Sequence, residues 1–143
     1  MTRYVVDASV AVKWYLPEVH DAEALRLLNL DAELLAPDLI YSEVGNILWK
    51  RVRAGDFTAA EGAAVLESFS RINLVISPSH PLIMPAFEIA CQTQRTVYGS
   101  LYLSLAVREN ALFVTTDEKL YNALQGTPLA SALLWVADVP ERS

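Results

Sequence analysis

The sequence predicts an α/β protein with a parallel sheet covered by helices on both faces, a three-layer α/β/α sandwich. Two observations predict it. Five short apolar, β-favouring runs are spaced along the chain: Tyr4-Val5-Val6, Glu33-Leu34-Leu35-Ala36, Asn73-Leu74-Val75-Ile76, Ala111-Leu112-Phe113-Val114 and Leu133-Leu134-Trp135-Val136. Each stretch between them carries apolar residues at helical spacing or the signals that start and stop a helix. Strands separated by helices imply parallel pairing, because a parallel neighbour needs a long crossover. No repeat, low-complexity tract or domain linker interrupts the alternation, so residues 1–143 are expected to form a single domain.

The first strand stops on Asp7, and Ser9 to Leu16 is expected as a short helix ended by Pro17. Ala24, Leu25, Leu27 and Leu28 predict a helix from Asp21 to Asn29 with one buried side. The second strand ends at Pro37, and a long helix follows from Asp38 to Arg53, with Gly55 just past its end. Its inward stripe is Ile40, Val44, Ile47, Leu48 and Val52, with Glu43 at the edge of that stripe. Thr58-Ala59-Ala60-Glu61 is a capping box opening a helix to about Ser70. After the third strand, Pro81 to Gln94 forms a helix carrying Ile83, Phe87, Ile89 and Ala90. A linker around Arg95 to Val97 leads to a helix over Ser100 to Glu109, with Leu101, Leu105 and Ala106 inward. The fourth strand runs into Thr115-Thr116-Asp117, and a helix over Glu118 to Leu124 precedes the fifth.

Composition narrows the function. Hydrophobic residues make up 53% of the chain and charged residues 20%, which supports a packed core. No apolar run reaches the roughly 18 residues of a membrane helix, and the start of the chain, broken by Asp7 and Lys13, does not read as a signal peptide. The single cysteine, Cys91, excludes an internal disulfide, fits a reducing cytoplasm and is expected as a small core residue. The net charge of −6 is the wrong sign for a protein that holds nucleic acid by bulk electrostatics. It does not weigh against a metal-dependent nuclease, because cations bound by carboxylates invert the local field.

Two strands end on aspartates, Asp7 and Asp117. In an open α/β sheet the carboxyl ends of the strands face the ligand crevice, so both are site candidates. Two carboxylates held close together require a proton or a cation between them, and an all-oxygen set favours Mg2+ or Mn2+. Glu43, early in the helix after the second strand, completes a possible three-carboxylate site. The alternative role for each aspartate is a helix N-cap. Ser9 and Thr115 lie beside the acids and either orient them or serve as ordinary caps and turns. His20 and His80 stand apart, as surface residues. Trp14, Trp49, Trp135, Tyr98 and Tyr102 are assigned to the core or a subunit contact, with base stacking as the alternative. A strand-end aspartate near the start of a chain also suggests the haloacid dehalogenase-like phosphatases, but these carry a second aspartate where this chain has Ser9.

Val5-Val6-Asp7-Ala8-Ser9, Ala36-Pro37 leading to Ser42-Glu43-Val44-Gly45-Asn46, Thr96-Val97-Tyr98-Gly99-Ser100-Leu101-Tyr102-Leu103 and Val114-Thr115-Thr116-Asp117-Glu118-Lys119-Leu120 together resemble the PIN-domain family, most closely its VapBC-type toxin ribonucleases. The resemblance implies a PIN-like five-stranded parallel sheet, a homodimer, an antitoxin protein as partner, RNA as substrate and a Mg2+- or Mn2+-dependent endoribonuclease site. Asp7, Glu43 and Asp117 match three of the family's four acidic positions, and Ser9 and Thr115 match its accompanying polar ones. The fourth acid normally follows the tyrosine of the Tyr98 motif. Here that place is Gly99, read as the N-cap of the helix opening at Ser100. Three carboxylates can still fix one ion with water completing its shell, so the expectation is a weaker ribonuclease. The alternative is a degenerate domain kept for binding or regulation.

Overall fold

A computed structural model describes residues 1–142. Its strands are β1 (Thr2–Val6), β2 (Ala32–Pro37), β3 (Val75–Ser77), β4 (Leu112–Thr115) and β5 (Leu133–Trp135). Its α-helices are α1 (Ala8–Ala11), α2 (Asp21–Asn29), α3 (Leu39–Arg53), α4 (Ala59–Ser70), α5 (Ile83–Thr93), α6 (Val97–Glu109) and α7 (Glu118–Leu124). The five strands form one sheet in the order β3-β2-β1-β4-β5, and every pairing is parallel. Helices flank it, giving the three-layer α/β/α arrangement that the alternation predicts.

This order has a direct consequence for the site. From β1 the chain builds outward through β2 and β3, then returns to place β4 on the other side of β1. The reversal puts a crevice at the carboxyl ends of β1 and β4. Val6 lies opposite Val114, so the two strands release Asp7 and the Thr115–Asp117 turn at nearly the same level.

Burial explains why the middle of the central strands is apolar. Val5, Val6 and Val114 are fully buried, and burying each such side chain contributes about 1.5–3 kcal/mol. Helix α6 packs against β1, β2 and β4, and each residue from Ser100 to Ala106 is buried. Helix α3 buries Ile40, Val44 and Leu48, while Ile47 and Val52 of the expected stripe are only partly covered.

Several local expectations are corrected. The helix expected over Ser9 to Leu16 is a single α-turn continued by a 3-10 turn, Val12–Trp14. Helix α6 opens at Val97 because Thr96 caps it, its hydroxyl accepting from the Gly99 amide at 3.1 Å. Gly99 is therefore the third residue of the helix and not its cap. Helix α5, preceded by a 3-10 turn at His80–Leu82, buries Ala86 and Ile89 and leaves Ile83 and Phe87 exposed. Cys91 falls two residues past Ile89, nearly opposite on the helix, and is exposed rather than in the core. On α2, Ala24 and Leu27 are buried, whereas Leu25 and Leu28 face outward.

Candidate active site at the carboxyl edge of the sheet

Asp7 leaves β1 in an extended conformation and caps α1, its Oδ1 accepting from the Val10 amide at 3.0 Å. The Ser9 hydroxyl donates to the same oxygen at 2.8 Å. Both hydrogen bonds fall on Oδ1, so Oδ2 carries none of the described ones. Burial lifts the Asp7 carboxyl to about 6, and Glu43 reinforces the rise while the Val10 and Ser9 hydrogen bonds oppose it. A carboxylate held in this way lacks a countercharge.

Asp117 repeats the design on β4. It caps α7 by accepting from the Leu120 amide through Oδ1 at 3.0 Å. Its Oδ2 pairs with Arg95 Nη1 at 3.6 Å. The buried Thr115 hydroxyl accepts from the Asp117 amide at 3.0 Å and shapes the turn. One oxygen of each aspartate thus caps a helix, while Asp7 Oδ2 has none of the described hydrogen bonds and Asp117 Oδ2 faces Arg95. Ser9 links the two strand ends through a 3.1 Å hydrogen bond to Thr116 Oγ1.

Glu43 comes from the second turn of α3 and is partly buried. Its Oε1 accepts from the Tyr102 hydroxyl. Tyr102 is 1% exposed and stacks on Phe113, with ring planes 16° apart. Burial and the Glu43 carboxylate both push its phenol far above its ordinary range, so it stays protonated and remains a donor. The sequence assigns Tyr102 to the core or a subunit contact. Its ring is in the core, and its hydroxyl reaches the site.

Asp7 and Glu43 line one open cavity of about 460 Å³, together with Asn46, Lys50, Tyr98 and Gly99. Asp7 and Asp117 line an adjoining one of about 120 Å³, with Arg95, Gly99 and Thr115. Asp7 and Gly99 belong to both. Among the described residues no three Asp, Glu, His or Cys side chains lie together as a ready-made metal cage. The donors still suit a hard divalent cation. Mg2+ keeps several waters and is held by one or two carboxylates plus substrate phosphate, which is what each pair of acids offers.

The other singled-out residues divide between core and surface. Trp14 is buried, Trp135 is half-buried, and Trp49 and Tyr98 are exposed, with Arg53 stacked over the Trp49 ring. His20 is not isolated, as its Nδ1 lies 2.6 Å from Glu23 Oε2 and its ring packs edge-on against Trp135. Sequence reasoning missed Arg95 and Thr116. Arg95 lies in the segment read as a linker and meets Asp117 only in the folded chain, while Thr116, next to Asp117 in the chain, reaches Ser9 because β1 and β4 are neighbours.

The all-parallel sheet with acids at its carboxyl edge fits a PIN domain. The PIN-domain family model matches residues 4–124, and the chain belongs to that family. It is 32% identical over 120 residues to Ribonuclease VapC3 of Pyrobaculum aerophilum, covering 82% of this chain and 92% of that protein. It is 29% identical over 116 residues to VapC ribonuclease Mb0985 of Mycobacterium bovis, covering 81% of this chain and 87% of the relative. Two crystal structures support the fold. PAE2754 from Pyrobaculum aerophilum superposes with a TM-score of 0.67 at 24% identity, over 88% of this chain and 82% of that one. VapBC2 from Rickettsia felis, solved bound to a promoter DNA fragment, gives 0.61 at 16% identity, over 93% of this chain and 98% of that one.

Proposed function

We propose that this chain is a metal-dependent endoribonuclease of VapC type, the toxin of a toxin–antitoxin pair. The observation that carries the reading is the placement of Asp7 between Glu43 and Asp117, at the point where the strand order reverses. Two relatives of similar length are named VapC ribonucleases, which favours an active enzyme over a domain kept only for binding. Asp7, Glu43 and Asp117 are the residues that would hold Mg2+ or Mn2+. When bound, such an ion activates water and neutralises charge developing on a phosphodiester.

The chain's own residues supply the rest. Asp7 contributes the oxygen its cap leaves free, and Ser9 fixes the orientation of that carboxylate. Glu43, steadied by the Tyr102 hydroxyl, is placed to accept a proton from the attacking water. Asp117 faces the other side of Asp7 and is charge-balanced by Arg95. Thr115 holds the Asp117 turn. Gly99 contributes no carboxylate, so fewer protein oxygens are offered to the ion, and weak metal affinity is expected.

The reading includes an antitoxin that covers the acidic groove, a homodimeric state and action in the cytoplasm. An inserted arginine would complement the carboxylates well. Among the described residues no helix is long and apolar enough to cross a membrane. Incubating the protein with single-stranded RNA tests the reading. Cleavage should appear with Mn2+ or Mg2+, stop in EDTA and return on adding the metal back. Cleavage that persists in EDTA, or none at any metal concentration, contradicts it.

A further inference from the structure

A polyanion approaching this chain meets a net charge of −6, so its backbone must be held by cations placed at the site itself. Many of the chain's cations are committed elsewhere. Arg3 pairs with Glu33 and Glu109, Lys13 with Glu18, Arg51 with Glu18 and Asp56, and Arg71 with Glu67. Two cations line the acidic cavities, one in each: Lys50 in the cavity that Asp7 and Glu43 line, and Arg95 in the one that Asp7 and Asp117 line.

Their setting suits phosphate. Lys50 is exposed and, among the described residues, has no ion pair. It lies seven residues beyond Glu43 on α3, two turns or about 10 Å along the helix, so it meets the backbone away from the reacting centre. Arg95 touches Asp117 through one nitrogen at 3.6 Å, and a guanidinium carries five N–H donors, so others remain for an incoming oxyanion. Between the two cavities stands Gly99. A Cβ placed there would meet nothing closer than Thr96 Oγ1 at 3.6 Å, and with glycine no side chain at position 99 intrudes on either cavity.

We propose that Lys50 and Arg95 grip one RNA backbone at separate phosphates, on opposite sides of the phosphodiester lying over Asp7. They are positioning residues. They set where the strand lies and leave proton transfer to the acids. The proposal rests on the ribonuclease reading and adds the residues that hold its substrate.

The test is binding of a fluorescently labelled single-stranded RNA, in EDTA, to protein carrying Asp7→Asn so that cleavage is blocked. The logarithm of the affinity is followed against the logarithm of KCl concentration. Each phosphate contact on a single strand contributes a slope of about 0.7, so Lys50→Gln and Arg95→Gln should each flatten the line by about 0.7 and the double variant by about 1.4. Arg71→Gln, on an exposed residue paired with Glu67 away from both cavities, should leave the slope unchanged. In the otherwise wild-type enzyme, each site variant should raise KM more than it lowers kcat. Unchanged slopes in an enzyme that does cut RNA overturn the clamp and leave the ribonuclease reading intact. A chain that neither binds nor cuts RNA overturns both.

Discussion

A carboxyl group withdrawn from water favours its protonated form, and Asp7 is lifted from 3.8 to about 6 for that reason. The folded chain therefore binds this proton more tightly than the unfolded chain. The group's contribution to stability falls as pH rises from about 4 to about 6, and the penalty is fully present at neutral pH. At about 1.4 kcal/mol per pH unit the penalty approaches 3 kcal/mol, and Asp7→Asn, which keeps an oxygen for the Val10 cap, should recover about 1–3 kcal/mol at pH 7. Urea unfolding at pH 7 and pH 4 measures it. The gain should shrink at the lower pH, and an equal gain at both would show that charge burial is not its source. Tyr102 was harder to foresee, because a tyrosine within an apolar helix reads as core. Tyr102→Phe should cost about 1 kcal/mol of stability and lower kcat more than it raises KM, since Glu43 loses the donor that fixes it. A KM effect alone would assign the hydroxyl to substrate binding.

The elements were the most legible level. The buried parallel strands are short with apolar centres, and the Thr58–Glu61 capping box marks its helix in both directions, each partner bonding the other's amide. Errors arose where tertiary packing decides the outcome. The apolar pattern starts α6 at Ser100, three residues late, because it does not show the Thr96 cap. The corrected start changes the meaning of Gly99. Its φ needs no glycine and its surroundings admit a Cβ, so the backbone does not demand this residue. Gly99→Asp should fold and bind Mn2+ more tightly than wild type, because a third-position carboxylate in α6 lies at the junction of both cavities and near a positive helix end. Isothermal calorimetry reads the change, and affinity equal to wild type would mean that position 99 does not face the ion.

At the scale of the whole molecule, the sequence could name acids at strand ends but not the order of strands. That order is fixed by pairing between distant segments, and it determines which acids meet. The sheet puts β1 between β2 and β4, which makes Asp7 the member common to both cavities and leaves Glu43 and Asp117 on its two sides. Cations found in other parts of the chain, Lys50 on α3 and Arg95 between α5 and α6, reach the acids through the same topology. The fold therefore concentrates charge of both signs at one edge, while the average composition shows only an excess of acid. Stability and activity should oppose each other here, since the residue whose charge is costliest to bury is also the one assigned to the chemistry.

Under the proposed function Asp7 is indispensable to metal-dependent RNA hydrolysis. Cleavage of one single-stranded RNA in Mn2+ by wild type and by Asp7→Asn, at equal folded concentration, tests it most directly. Wild type should cut, and the variant, though more stable at pH 7, should lose at least about 100-fold in kcat, or roughly 2.7 kcal/mol of transition-state stabilisation. Equal rates in the two proteins would contradict it.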